Sequence, residues 1–205
     1  MEIASIIVSA IALLLVIYRD VIREHIYRPQ IRVDFSLDEP ISRGVNVGFP
    51  VIPLDSPRES YIRFWTRLRV TNKGRSTAKH CEAVLAEVRS SDGSLDTRYD
   101  PLVLRWAISP EPEGLRPLDL APGRQVDLNL LMTEQDGRTV SIVTHTDPIG
   151  AAVTFQPGEY WFKVSIYGDN FAPVEHGYAL RWDGSHYKRG IDIRTANTPP
   201  SSKCG

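Results

Sequence analysis

Residues 61–74 read YIRFWTRLRVTNKG, and the alternation in this stretch decides the fold. Ile62, Phe64, Leu68 and Val70 fall on one face of an extended chain, while Arg63, Trp65, Arg67 and Arg69 fall on the other. A period of two, rich in β-branched and aromatic residues, is the pattern of a half-buried strand. Asn72-Lys73-Gly74 then reads as a turn, with Gly74 available for a positive φ.

The same period recurs on both sides. Upstream, Ile31, Val33, Phe35 and Leu37 alternate with Arg32, Asp34 and Ser36. Residues 38–57 are rich in Gly and Pro and read as loop, with one short strand over 45–49 that proline confines to a sheet edge. Downstream, 78–88 is a strand whose alternation slips. Cys81, Ala83 and Leu85 share one face and Val84 and Val88 the other, which requires either a bulge or cover on both faces. Further short strands follow at Leu102–Trp106, at Val126–Met132, over 139–144, at Tyr160–Ile166 and over 175–182. Ser91-Asp92-Gly93, Ala121-Pro122-Gly123, Pro157-Gly158, Gly168-Asp169-Asn170 and Asp183-Gly184 punctuate them as turns. No helical pattern interrupts the series, so the expectation is an all-β, antiparallel β-sandwich over 29–190. Beyond it, 191–205 carries Pro199-Pro200-Ser201-Ser202 and reads as a flexible C-terminal tail.

Composition agrees with one domain and an appendage. The chain has 205 residues, 42% of them hydrophobic, enough for a real core and too many for wholesale disorder. With 24 Lys and Arg against 25 Asp and Glu, it gives no electrostatic footprint for nucleic acid. Two cysteines, Cys81 and Cys204, supply neither a disulfide framework nor a four-ligand zinc site.

The appendage is the N-terminus. Ile3 to Tyr18 reads IASIIVSAIALLLVIY without a charge, and Val21, Ile22 and Ile26 extend an apolar stripe toward the helix stop at Pro29. A secretory signal wants a basic start and a small-residue cleavage site, but Met1-Glu2 and Tyr18-Arg19-Asp20 stand at those places. A buried core helix is the plainer reading, and an all-round apolar surface at the chain's beginning argues against it. The expectation is one membrane-anchor helix over 1–28, in which Ile3, Ile7, Ile11, Leu14 and Ile17 meet lipid. Arg19, Arg23, Arg28 and Arg32 follow the run while no Lys or Arg precedes it. The positive-inside rule then gives a single-pass inner-membrane protein with its sandwich in the cytoplasm.

A resemblance now adds to this reading. Leu68-Arg69-Val70-Thr71-Asn72-Lys73-Gly74-Arg75-Ser76-Thr77-Ala78 is similar to the V-x-N-x-G-x-x-x-A hairpin of immunoglobulin-like adhesion and CARDB-type domains. Leu120-Ala121-Pro122-Gly123, Pro157-Gly158-Glu159-Tyr160 and Tyr167-Gly168-Asp169-Asn170 are similar to those domains' closing strands. The layout as a whole resembles prokaryotic single-pass membrane-anchored proteins with a CARDB-like domain, a family with no assigned role. The resemblance implies an immunoglobulin-like sandwich and brings no catalytic residues with it.

Chemistry leaves little trace. There is no G-x-S-x-G elbow and no phosphate-cradling glycine loop. Asp183-Gly184-Ser185-His186 has triad residue types in a sequence turn, which is not triad geometry. His25, His80, His145, His176 and His186 are scattered; His80 and Glu82 share a strand face with Cys81 opposite, and His145-Thr146-Asp147 offers two ligands without a third. No catalytic residues, metal or cofactor are therefore assigned. Cys81 reads as a small buried apolar residue, and Trp106, Trp161 and Trp182 as core or rim packing.

The polar face of the first-quoted strand is the more informative feature. Arg63, Trp65, Arg67 and Arg69 place guanidinium forks around an indole, the composition of a binding face. The alternative is a solvated face whose arginines pair across the sheet with acids such as Glu82 or Glu87. The expected function is a membrane-anchored, non-enzymatic protein-interaction module. The alternative is a sensor or carrier taking a small anionic ligand at the arginine row.

Overall fold

The structure, a computed structural model, describes residues 11–16, 18–19, 27–36, 41, 43–47, 61–97, 101–107, 113–134, 140–142, 154–185 and 190–200. Thirteen strands and one 3-10 turn lie among them, in two antiparallel sheets. The first sheet is built around β3 (Tyr61–Asn72) and β8 (Gln125–Glu134). On the far side of β3 lie β1 (Ile31–Phe35) and β2 (Arg43–Val47), which pair with its two halves in tandem, so the strand expected over 45–49 sits at an edge. On the far side of β8 lie β6 (Arg105–Trp106) and β9 (Val140–Ile142), with β10 (Thr154–Phe155) beyond β9. The second sheet runs β13 (Ile191–Thr195), β12 (Val174–Trp182), β11 (Gly158–Tyr167), β4 (Ala78–Ser90), β5 (Leu102–Val103), and β7 (Leu118–Leu120) also pairs β4.

The core lies between the sheets and follows the alternation. Leu68 and Val70 of β3, Leu128 and Leu130 of β8, Phe162, Val164 and Ile166 of β11, and Tyr178 and Leu180 of β12 are buried. Phe162 stacks on Tyr178, which also meets Phe35 edge-on. The slip in β4 is a bulge. Lys163 faces Glu87 and Val164 faces Leu85, so Ala86 is the extra residue. This shift returns Val88 to the core face with Cys81, Ala83 and Leu85.

The turn after β3 is where the sheets are tied. Asn72 is fully buried, and its amide uses both donors and two lone pairs. Its Oδ1 accepts from the Gly74 amide at 2.9 Å and the Gln30 amide at 3.2 Å. Its Nδ2 donates to the Ser76 carbonyl at 2.7 Å and the Leu120 carbonyl at 2.8 Å. One side chain thus joins the entry to β1, the crossover to β4 and the end of β7. Gly74 serves close approach rather than a positive φ, unlike the sequence expectation: a Cβ there would sit 2.5 Å from the Gln30 nitrogen and 2.6 Å from Pro29 Cα.

The segment 102–107 passes from one sheet to the other. Leu104 donates its amide to the Ala83 carbonyl in the second sheet, and Ala107 donates to the Asp127 carbonyl in the first. Leu104 and Trp106 are buried between these points, and Trp106 heads the fully buried side chains by volume.

The sandwich reaches beyond the expected boundary at residue 190. β13 pairs with β12 from Tyr178↔Thr195 to Trp182↔Ile191, with Ile193 in the core, where the sequence reading places a flexible tail. The alternating Ile191-Asp192-Ile193-Arg194 outweighs the Pro and Ser residues that follow. Ala196 continues the ladder, donating to the Gly177 carbonyl, and its own carbonyl accepts from the Trp161 indole at 2.6 Å. Residues 201–205 of the expected tail lie outside the described residues.

Candidate functional site

The arginine face of β3 is placed as follows. Arg63 stands opposite Val45 and Glu134, and its side chain lies outside the described residues. Trp65, half-buried, stands opposite Arg43 and Met132. Arg67 is only 7% exposed, and its Nε donates to Asn129 Oδ1 at 2.8 Å. Arg69 donates Nε to Asp127 Oδ1 at 2.9 Å. That hydrogen bond, with the Asp127 and Asp34 charges, holds the Arg69 guanidinium above its ordinary range. The two arginines therefore engage β8 of their own sheet, not Glu82 or Glu87, which lie on β4 of the other. Glu87 instead meets Arg89 and Lys163. A bulge sets the arrangement: Thr66 faces Leu131 and Arg67 faces Asn129, so Leu130 is the extra residue. Along β8 both faces are buried from Leu128 to Thr133, which takes Arg67 out of water.

A second polar surface lies on the outer face of the second sheet, over β11, β12 and β13. Two cross-strand rows run there: Glu159–Arg181–Asp192 and Trp161–Ala179–Arg194. Above them is a groove of about 560 Å³, lined in part by Thr195, Ala196, Thr198 and Pro200. Trp161 is 4% exposed although it sits on the outer face, because the chain after β13 folds back onto it. Gly177 permits this; a Cβ there would run into the Ala196 carbonyl and come within 2.8 Å of the indole. Arg181 and Glu159 approach to 3.7 Å and are both well exposed, so their attraction is worth little by itself. Sequence reasoning missed this surface because it ended the domain at 190. The signal that could have found it was the period of two at 191–194.

Other sequence candidates fall apart spatially or into turns. His80 has φ 48° at an irregularity in β4, and its Nδ1 lies 2.5 Å from Asp169 Oδ2. The Asp169 hydrogen bond and charge raise the His80 pKa above 6.5, while burial lowers that of His176. The backbone amide of His80 donates to Asp119, and Asn170 bonds Lys79 and Thr77, so the 168–170 turn pins the irregularity. Burial pushes the Cys81 thiol up to about 11, which keeps it protonated and unreactive near neutrality. Asp183 caps a turn, accepting from the Ser185 amide at 2.8 Å. Among the described residues no three His, Cys, Asp or Glu side chains gather as metal ligands. His25, His145, Asp147, His186 and Cys204 lie outside them.

The expected anchor is described in part. Residues 11–16 and 18–19 are helical, and Ile3, Ile7 and Ile17 lie outside the described residues. Ile11, Leu13, Leu14, Leu15 and Val16 are 52–65% exposed, so the described turns of this helix present apolar side chains to the outside. Among the described residues no helix is long and apolar enough to cross a membrane.

No protein-family model, no curated protein and no solved structure matches this chain.

Proposed function

We propose that the chain is a membrane-anchored, non-enzymatic interaction module, a sandwich of immunoglobulin-like type held at the inner membrane by its N-terminal helix with its body in the cytoplasm. The observation that carries the reading is the apolar surface of residues 11–16, six consecutive apolar residues that are all exposed. Contiguous apolar surface of this kind marks a partner or lipid. The charge bias after Tyr18 supports a cytoplasmic body.

The immunoglobulin-like type is supported by strand order. An immunoglobulin sandwich sets strands A-B-E-D against G-F-C. Taking β1, β3, β4, β6, β8, β11 and β12 as A to G in chain order reproduces both sheets. The remaining strands are additions at the edges. In such a module the exposed outer face of β11–β13 is a better recognition surface than the β3 arginines. Arg67 and Arg69 already bond Asn129 and Asp127, which weakens the alternative of an anion sensor at that row.

Ile11→Arg tests the anchor, since Ile11 lies near the middle of the Ile3–Tyr18 run. A central arginine costs about 3 kcal/mol of membrane insertion. The wild-type chain is expected to stay with membranes washed in alkaline carbonate, and the variant to be released in large part. Equal release of both sinks the anchor.

A further inference from the structure

We infer that β13 is a self-association edge, at which two copies of the chain pair antiparallel about a dyad at Ile193. This rests on the interaction-module reading and gives the module one partner, a second copy. β13 ends the order of the second sheet, and among the described residues no strand pairs its outer side. The direction of its backbone groups follows from both ends of its ladder. The Gly190 carbonyl accepts from Asp183, and the Ala196 amide donates to Gly177, both toward β12. Alternation then turns Asp192 and Arg194 toward β12 as well, and leaves the amides and carbonyls of Ile191, Ile193 and Thr195 facing outward. Among the described residues, the chain past Thr195 does not pair along this edge. Ala196 stays in the ladder with Gly177 and accepts from the Trp161 indole, and Thr198 and Pro200 line the groove over the outer face.

An open edge is a template for another strand, and proteins blunt edges with charge. Charges of one sign would repel a second copy of the same strand. β13 carries both signs, and their positions are self-complementary. With Ile193 opposite Ile193 of the second copy, Asp192 stands opposite Arg194 of the second copy, and Arg194 opposite its Asp192. The Ile193 pair and the Ile191–Thr195 pairs are then the hydrogen-bonded ones. The two Asp–Arg pairs occupy non-hydrogen-bonded sites, where side chains come closest. Both residues are exposed, and among the described residues neither makes an ion pair within its own chain. The contact also continues a pattern. Glu159, Arg181 and Asp192 alternate in sign across three strands, and Arg194 of the second copy is the next positive charge. The interface is isologous, as a two-fold contact must be.

The test is sedimentation equilibrium of the full chain in detergent micelles. The wild type is expected to form dimers. Asp192→Arg and Arg194→Asp each set like charges opposite at two symmetric positions, and each is expected to weaken the dimer about 10–100-fold. The double variant Asp192→Arg/Arg194→Asp restores opposite charges and is expected to recover most of the association. Unchanged melting temperatures check that the variants fold. A monomeric wild type, a dimer indifferent to either reversal, or a double variant as weak as the singles overturns the β13 contact. None of these bears on carbonate-resistant membrane retention, so failure of this contact and failure of the anchored-module reading are separately legible.

Discussion

Asn72→Ala is expected to lower folding stability by about 3–5 kcal/mol, among the largest losses any single substitution in this chain produces. The change removes little volume, so cavity formation is not the cause. It strands four backbone groups at once: the amides of Gln30 and Gly74 and the carbonyls of Ser76 and Leu120. A buried polar group left without a partner loses about 1–3 kcal/mol, and the three partly buried groups recover some of that from water. Asn72→Asp separates hydrogen bonding from shape. It keeps the acceptor toward Gly74 and Gln30 but turns a carboxylate oxygen toward two carbonyls, so it is expected to be comparably harmful. Urea unfolding followed by tryptophan fluorescence measures both. A loss under 1 kcal/mol in each would mean that the Asn72 knot does not hold the sheets together.

Trp106→Ala is expected to cost a similar amount, about 3–5 kcal/mol, for a different reason. β6 is only two residues long and delivers this indole to the point where residues 102–107 cross between the sheets. The surrounding strands are fixed by their ladders and cannot collapse onto the vacated space, so both the lost burial and the cavity are felt. Trp106→Phe retains most of the volume and is expected to recover more than half of the loss. Thermal unfolding is the readout, with a fall of roughly 10 °C for alanine. Near-wild-type melting of Trp106→Ala would mean that the crossing segment is peripheral to the core.

Much of the sandwich was legible because period-two alternation encodes strand faces. The strands at Tyr61–Asn72, Gln125–Glu134 and Gly158–Tyr167 carry it almost without interruption. Less legible was whatever depends on an extra residue. The β4 strand reveals a slip, but only the partner strand shows that Ala86 bulges and Val88 rejoins the core. The same limit governs the candidate site. Arg67 alternates onto the outer face, yet the β8 bulge at Leu130 and the burial of that face enclose it against Asn129, 62 residues away. Pairings across such separations leave no local pattern. β13 was within reach of the sequence and was missed because Pro199-Pro200 and the serines behind it dominate the composition of the last fifteen residues. The outer-face groove and the self-complementary edge both depend on that strand.

The anchored, inward-facing module is tested most directly by the position of the sandwich relative to the membrane. The measurement is protease digestion of spheroplasts producing the full-length chain with a reporter fused after Gly205, together with fractionation of the lysate. The account predicts a membrane-bound chain whose sandwich resists external protease until the cells are lysed. Recovery in the soluble fraction would contradict the anchor, and digestion in intact spheroplasts would contradict the cytoplasmic placement.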